Sequence, residues 1–348
     1  MSRYRDGREA LAADWSRRGQ ADLTARPYDA VTDFSTALAY GPDRAGDRFL
    51  LAKALISARR SPEAEAQLQA LAAEDPANSE VNLELARIAA AEGALDNAVR
   101  YYHAAVDGVW TSNAVVSRRN ARIELARVLM AHGQAVRAQG ELIALIDELP
   151  EDSMLLTDIA GLLADAGATA RALGLARRAL AAAPADPRAA TLAGELEFKS
   201  GDIPAAARDL SAAQASGTLD DDARRMLEVG RQVLALDPYT GRLNVHARAM
   251  RALRALAIAR ARFERCSESW IADPNIGPSL GALGMRLAAA GRRTAAALER
   301  DSDLIDEVTT VAFDVEKLPA GGCGGETVDD RALSLIGRQH ASPVPGAQ

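Results

Sequence analysis

The chain has 348 residues, of which 48% are hydrophobic but only 4% aromatic. This composition favours closely packed helices over sheets, because strands prefer aromatic and β-branched side chains. Its net charge of −7 argues against a nucleic-acid partner, which requires a concentrated basic surface.

The N-terminal segment, residues 1–15, is charged from its third residue and lacks the apolar core of a secretion signal. The sequence also lacks an apolar run of about 18 residues, so we expect no membrane-spanning helix. As it stands, the chain is expected in the cytoplasm. A true start upstream of Met1 would instead favour a periplasmic or membrane-anchored protein.

A repeat of 34 residues organises the first two thirds of the chain. Five positions before each of its last four alanines lies a glycine, and twelve positions after four of the six lies a proline. A fixed period of this length predicts a stack of repeated structural units. The alanines are separated by 34, 34, 40, 34 and 34 residues, and they are Ala30, Ala64, Ala98, Ala138, Ala172 and Ala206.

The recurring residue types fit a pair of antiparallel helices. Alanine lets two helices approach closely, and glycine turns the chain between them at low steric cost. Proline ends the second helix because it has no N–H to donate. One pair cannot bury its apolar face alone, so neighbouring pairs must stack.

This pattern resembles the tetratricopeptide-repeat (TPR) family, whose unit is a pair of helices. The family's first-helix tryptophan, glycine and tyrosine are mostly replaced here by an aliphatic residue and an alanine, as at Leu85 and Ala86. The resemblance implies an all-α, right-handed superhelical solenoid of about six helix pairs, followed by a C-terminal helical domain. The expected units are residues 11–44, 45–78, 79–112, 119–152, 153–186 and 187–220, within a solenoid of residues 1–220.

The 40-residue interval indicates an insertion of six residues near 113–118. It follows Trp110, which occupies the position that holds proline in other units. We expect the next helix to gain an extra turn, with Trp110 packed at the joint; a binding role for Trp110 is the alternative.

Beyond residue 220 we predict a C-terminal helical extension over 221–318. It begins with a helix over 222–236 and a turn at 237–243. One long helix over 244–268 follows. The residues of the long helix that are spaced to face a core are Met250, Leu253, Leu256 and Ala257.

For the final segment, residues 319–348, we predict a glycine-rich loop, a short helix and a disordered tail. Thr327 and Asp330 form the pattern of a capping box that opens the short helix, which runs to about His340. Together with segments 101–110 and 237–243, this region also resembles parts of uncharacterised bacterial TPR proteins.

Charge is unevenly distributed in the C-terminal extension. The helix over 244–268 carries six arginines against two acids, Glu264 and Glu268, whereas the charged residues of segment 299–316 are mostly acidic. The basic helix could contact a membrane surface or an acidic partner. Alternatively, it faces the acidic segment of the same domain or is solvated.

Cys266 and Cys323 are the two cysteines of the chain. Neither has a second cysteine at metal-binding spacing. Three alternatives stay open: a disulfide between them, two inert thiols, or a redox-active thiol at Cys323.

The sequence shows no catalytic constellation. Its four histidines are scattered, and it lacks the phosphate-binding, dinucleotide-binding and nucleophile-elbow motifs. We therefore expect no enzymatic activity, no catalytic residue, no metal site and no cofactor.

In TPR arrays the first helices line a concave groove, and positions 5, 9 and 12 of a unit share one stripe of the helix. In units two to four, position 9 is basic and lies among apolar residues. In the alternative interpretation, Arg87 and Arg127 each pair with a glutamate three residues earlier, Glu84 or Glu124. The predicted peptide-binding residues are Phe49, Lys53, Ile56, Leu83, Arg87, Ile123, Arg127 and Met130.

The sequence thus predicts a non-catalytic interaction scaffold that binds a protein or an extended peptide with acidic and apolar residues. One alternative is a cell-envelope assembly or adaptor protein, in a truncated membrane-anchored form, whose C-terminal domain acts through a membrane contact or a thiol. Another is a structural array that spaces other domains or self-associates.

Overall fold

The computed structural model describes the backbone of residues 2–217, 219–320 and 324–340, and their side chains from residue 6 onward. These residues form α-helices and no β-strand; one isolated bridge joins Asn78 and Val109. The predicted all-α fold class is confirmed. The predicted tail, 341–348, lies outside the described residues.

The chain forms two compact units. The first consists of residues 1–149 and 165–168, and the second of residues 150–164 and 169–348. The predicted solenoid of residues 1–220, with its six unit boundaries, stays a prediction, as do the extension over 221–318 and the final segment.

The described helices up to residue 149 are α1 Ser2–Asp22, α2 Pro27–Tyr40, α3 Ala45–Ser57, α4 Ser61–Glu74, α5 Ser79–Ala91, α6 Leu95–Asp107, α7 Ala114–Ala131 and α8 Ala135–Ile143. They pack as consecutive pairs, α1 with α2, α3 with α4, α5 with α6 and α7 with α8. A 3₁₀ turn follows at Ile146–Glu148.

The remaining described helices are α9 Ser153–Asp165, α10 Thr169–Ala182, α11 Pro187–Ser200, α12 Ile203–Ala215, α13 Asp221–Leu236, α14 Val245–Ala272, α15 Gly277–Ala290, α16 Ala295–Arg300, α17 Asp303–Glu316 and α18 Val328–His340. Helices α11 and α12 form a further pair, and α13 packs beside α12 and α18.

The six alanines of the repeat are all fully buried. Each lies near the start of a second helix, where a larger side chain would hold the first helix at a greater distance. The turn glycines also behave as their positions predict, because all four adopt a left-handed backbone with φ between 71° and 87°. They are Gly93, Gly133, Gly167 and Gly201.

The insertion lengthens α7 to 18 residues, against 13 in α3 and α5. Asn113 precedes it in a left-handed conformation, with φ 48°. Trp110 is half-buried beside Val109, whose N–H donates to Ala77 O at 2.7 Å. The 18 residues of α7 thus include the extra turn that the insertion predicts.

In the second unit, α13 and α14 occupy the segments predicted as helices. Two of the four residues predicted to face the core, Met250 and Ala257, are exposed, Met250 to 48%. The other two were predicted correctly, because Leu256 is 5% exposed and Leu253 packs against the core. The buried line runs through Ala249, Ala252 and Ala259. These small residues suit the close packing of α14 along α17.

The start of α18 forms the predicted capping box. The backbone N–H of Thr327 donates to Asp330 Oδ2 at 2.9 Å, and the N–H of Asp330 donates to Thr327 Oγ1 at 3.1 Å. Leu333 and Ile336 of this helix are fully buried in the core of the second unit.

Candidate functional site

The predicted peptide-binding residues all lie on first helices of the first unit, α3, α5 and α7. Arg87 and Arg127 are exposed, whereas Ile123 is buried, with 9% exposure. Ile123 therefore supports the helix more than it contributes surface. The half-buried members are Phe49, Lys53 and Ile56 on α3, Leu83 on α5, and Met130 on α7.

On α3, an aromatic ring and an ammonium group lie together. The Nζ atom of Lys53 is 5.9 Å from the centroid of the Phe49 ring, within cation–π range. Phe49 and Ile56 pack against the core formed by α2 to α5. Lys53 makes no ion pair within the described part of the chain, so its charge is available to a ligand.

Between α5 and α7, Arg87 forms a two-pronged ion pair. Its Nε and Nη2 atoms donate to the Glu124 carboxylate at 2.9 and 2.7 Å, and its Nη1 atom donates to Glu84 at 3.0 Å. The hydrogen bond to Glu124 raises the pKa of Arg87. The alternative interpretation holds for Glu84, but Glu124 bonds across helices rather than to Arg127.

Glu124 has a second partner, the buried Tyr102 of α6. The Tyr102 hydroxyl donates to Glu124 Oε2 at 3.4 Å, and burial, aided by the nearby Glu124 carboxylate, raises the pKa of Tyr102 to about 12. Glu124 thus joins α5, α6 and α7. Arg87 belongs to this structural network, and its charge is matched by two carboxylates.

Arg127 is exposed one turn beyond Glu124 on α7. It forms no ion pair and no side-chain hydrogen bond with any described residue. Of the three predicted basic residues, Lys53 on α3 and Arg127 on α7 are thus uncommitted, in that they form no ion pair with a described residue. Sequence reasoning missed the Arg87–Glu124 pair because its members are 37 residues apart and meet only through helix stacking.

Two of the histidines contact glutamates of neighbouring helices. Nε2 of His103 lies 2.9 Å from Glu141 Oε1, and Nδ1 of His246 lies 2.7 Å from Glu299 Oε1. Within the described ranges, no group of three or more histidine, cysteine or acidic side chains is arranged to hold a metal ion.

In the second unit, arginines of α14 contact acids of the same unit. Arg262 and Glu316 form an ion pair in which each side chain is 1% exposed, and Arg265 donates to Asp330 at 2.7 Å. Burial raises the pKa of Glu316 to about 7, while Arg262 counteracts this rise. These ion pairs agree with the alternative in which the arginines of α14 contact acidic residues of the same domain.

Cys266 is fully buried and is disulfide-bonded in the structure. Its predicted partner, Cys323, lies outside the described residues, so the pairing of the two cysteines stays a prediction. Beside Cys266, the indole N–H of Trp270 donates to Pro319 O at 2.9 Å, which holds the start of the following loop.

No helix within the described ranges is both long and apolar enough to cross a membrane. The described residues thus contain a surface with two uncommitted basic side chains on the first unit, but no cluster suited to a metal.

No protein-family model and no curated protein matches the sequence. Solved structures do match. The C-terminal part of a TPR repeat-containing protein from Cytophaga hutchinsonii has a TM-score of 0.50 at 15% identity, over 65% of this chain and 94% of that one. That likeness shows a TPR fold, as the repeat predicts.

Two further matches have lower TM-scores. PilF from Pseudomonas aeruginosa has a TM-score of 0.44 at 15% identity, over 63% of this chain and 97% of its own. PilW, a type IV pilus biogenesis factor, has a TM-score of 0.41 at 15% identity, over 64% and 98%.

Proposed function

We propose that this TPR-fold chain is a non-catalytic protein–protein interaction scaffold. It binds a segment of a partner protein along the first helices of its first unit, α3, α5 and α7. The observation that carries this proposal is the pair of uncommitted basic side chains, Lys53 and Arg127, set among half-buried apolar residues on these helices.

The apolar part of this surface consists of Phe49, Ile56, Leu83 and Met130. Each is half-buried, so each keeps apolar area that a ligand can cover. Burying such area drives association, while charged groups at its margin select the partner and accelerate encounter. The partner segment therefore combines apolar side chains with acidic ones.

Arg87 has a supporting role in this proposal. Its bonds to Glu124 and Glu84 fix the spacing of α5 and α7, which pre-organises the surface before a ligand arrives. Reversing its charge would break this network, so Arg87 is unsuitable as a test of ligand contact.

The test reverses the two uncommitted charges. The chain and its Lys53→Glu/Arg127→Glu variant serve as bait for affinity capture from the source organism, with quantitative mass spectrometry. A matched control, Arg137→Glu/Arg171→Glu, makes the same charge change on α8 and α10, where both arginines are exposed and form no ion pair with a described residue.

We expect proteins that are captured by the wild type and by the control to be lost with the Lys53→Glu/Arg127→Glu variant, because like charges then face the acidic segment. Circular dichroism should show the same helix content in all three proteins. Capture of the same proteins by both variants would contradict the placement of the site on α3, α5 and α7.

A further inference from the structure

A cavity of about 330 Å³ lies within the second unit, between α11, α13 and α18. Its apolar lining consists of Phe198, Met226, Val229 and Leu335. Val229 is 4% exposed and the other three are half-buried. The volume is at the lower end of the range for ligand pockets, about 300–1,000 Å³, so the cavity suits one or two side chains.

Three arginines, Arg225, Arg331 and Arg338, are among the residues that line this cavity. Arg225 pairs with Asp222 on its own helix, and Arg331 lies 3.6 Å from Glu326. Arg338 forms no ion pair or side-chain hydrogen bond with any described residue. The cavity lining thus carries three guanidinium groups and two carboxylates. This is a local excess of positive charge in a chain whose net charge is −7.

The wall formed by α18 is firmly held. Leu333 and Ile336 are fully buried, the capping box fixes the start of the helix, and Gln339 Nε2 donates to Gly201 O near its end at 3.0 Å. The cavity is therefore already shaped in the unliganded chain, which lowers the entropic cost of binding.

The position of the cavity also follows from the repeat. Helix α13 starts at Asp221, 34 residues after Pro187 at the start of α11, so Arg225 and Val229 occupy positions 5 and 9. These are the positions of the stripe that was assigned to the groove in the earlier units. In the second unit, α18 stands beside that stripe.

We propose that this cavity binds one large apolar side chain of a partner peptide, with a neighbouring carboxylate of the peptide bound by Arg338. The apolar lining selects the side chain, and the uncommitted guanidinium selects the acid. This site is separate from the surface on α3, α5 and α7, so its test does not depend on that surface.

Met226 provides a reporter inside the cavity. We would label the methionine methyl groups with ¹³C in the full chain and titrate the blocked peptide acetyl-Glu-Leu-Phe-Asp-amide. The Met226 methyl signal should shift in a saturable way, while the signals of Met154 and Met285, which are exposed elsewhere in the second unit, should not. Substituting Arg338→Glu should weaken binding about ten-fold.

Arg292→Glu is the matched control, because Arg292 is exposed, lies outside the cavity and forms no ion pair with a described residue. It should leave the affinity unchanged. The proposal would be overturned by an unmoved Met226 signal, or by equal binding of the uncharged peptide acetyl-Gln-Leu-Phe-Asn-amide. It would also be overturned if decanoate alone shifted the signal, since the cavity would then take a small amphiphile.

Discussion

Arg59 adopts a backbone conformation that the later units assign to glycine. It lies five residues before Ala64, at the position of Gly93, Gly133 and their equivalents, and its φ is 62°. A side chain in this left-handed region crowds the following carbonyl, whereas glycine does not. The turn is thus formed with or without glycine, because helix packing imposes it.

We expect Arg59→Gly to stabilise the first unit by about 0.5–1 kcal/mol, since relief of left-handed strain exceeds the entropic cost of glycine. Urea denaturation monitored by circular dichroism would measure this. Arg59→Ala keeps the strain and should show no gain. Gly93 lies in open space at φ 75°, so Gly93→Ala should lower the free energy of unfolding by about 1 kcal/mol. Unchanged stability in both Arg59→Gly and Gly93→Ala would show that the left-handed backbone is not strained.

The basic residues of the predicted site differ in how far their contacts follow from the sequence. Spacing on one helix is fixed by helical geometry, so it was predictable that Lys53 lies on the same side of α3 as Phe49. The partner of Arg87 was not, because Glu124 approaches it only once α5 and α7 have stacked. Two candidate acids, Glu84 and Glu124, were visible in the sequence, and the structure uses both on the same arginine.

At the scale of elements, helix positions were more predictable than helix faces. The bounds of α13 and α14 follow from turn residues and apolar spacing. The buried face of α14 follows only in part. Leu256 is buried as its spacing predicts, but alanine occurs all around this helix, so spacing alone does not separate the buried Ala252 from the exposed Ala257. Packing of α14 along α17 and the other helices of the second unit determines which alanines are buried.

The same two helices share the buried Arg262–Glu316 pair, which gives the second unit a pH dependence. The pKa of Glu316 rises from 4.5 to about 7 on folding, so the folded chain holds a proton that the unfolded chain has released between these values. The free energy of unfolding should therefore fall as pH rises from about 4.5 to about 7, by at most about 1.4 kcal/mol per pH unit.

Urea denaturation from pH 4.5 to 7.5 would test this for the wild type and for Glu316→Gln. The variant cannot ionise at this position, so its stability should fall less steeply with pH than that of the wild type. Parallel pH profiles would show that Arg262 keeps Glu316 ionised throughout and that its pKa is not raised.

At the scale of the whole molecule, one repeat underlies both compact units. The fully buried alanines and the left-handed turn glycines continue from the first unit into the second, as far as Gly201 and Ala206. The repeat made the fold predictable, because the alanines, glycines and prolines have the same packing or turning role in each unit where they occur. The cavity beside α18 was not predictable, since α18 follows α13 only after a long excursion of the chain.

A partner that contacts the first helices of the first unit is central to the proposed function. Site-specific photo-crosslinking in cells tests this contact, with benzoylphenylalanine placed at Met130 on α7 or at Val136 on α8. Both are apolar, and Val136 is the more exposed, at 80%. We predict a discrete crosslinked partner from Met130 and none from Val136; a partner crosslinked from Val136 but not from Met130 would contradict the account.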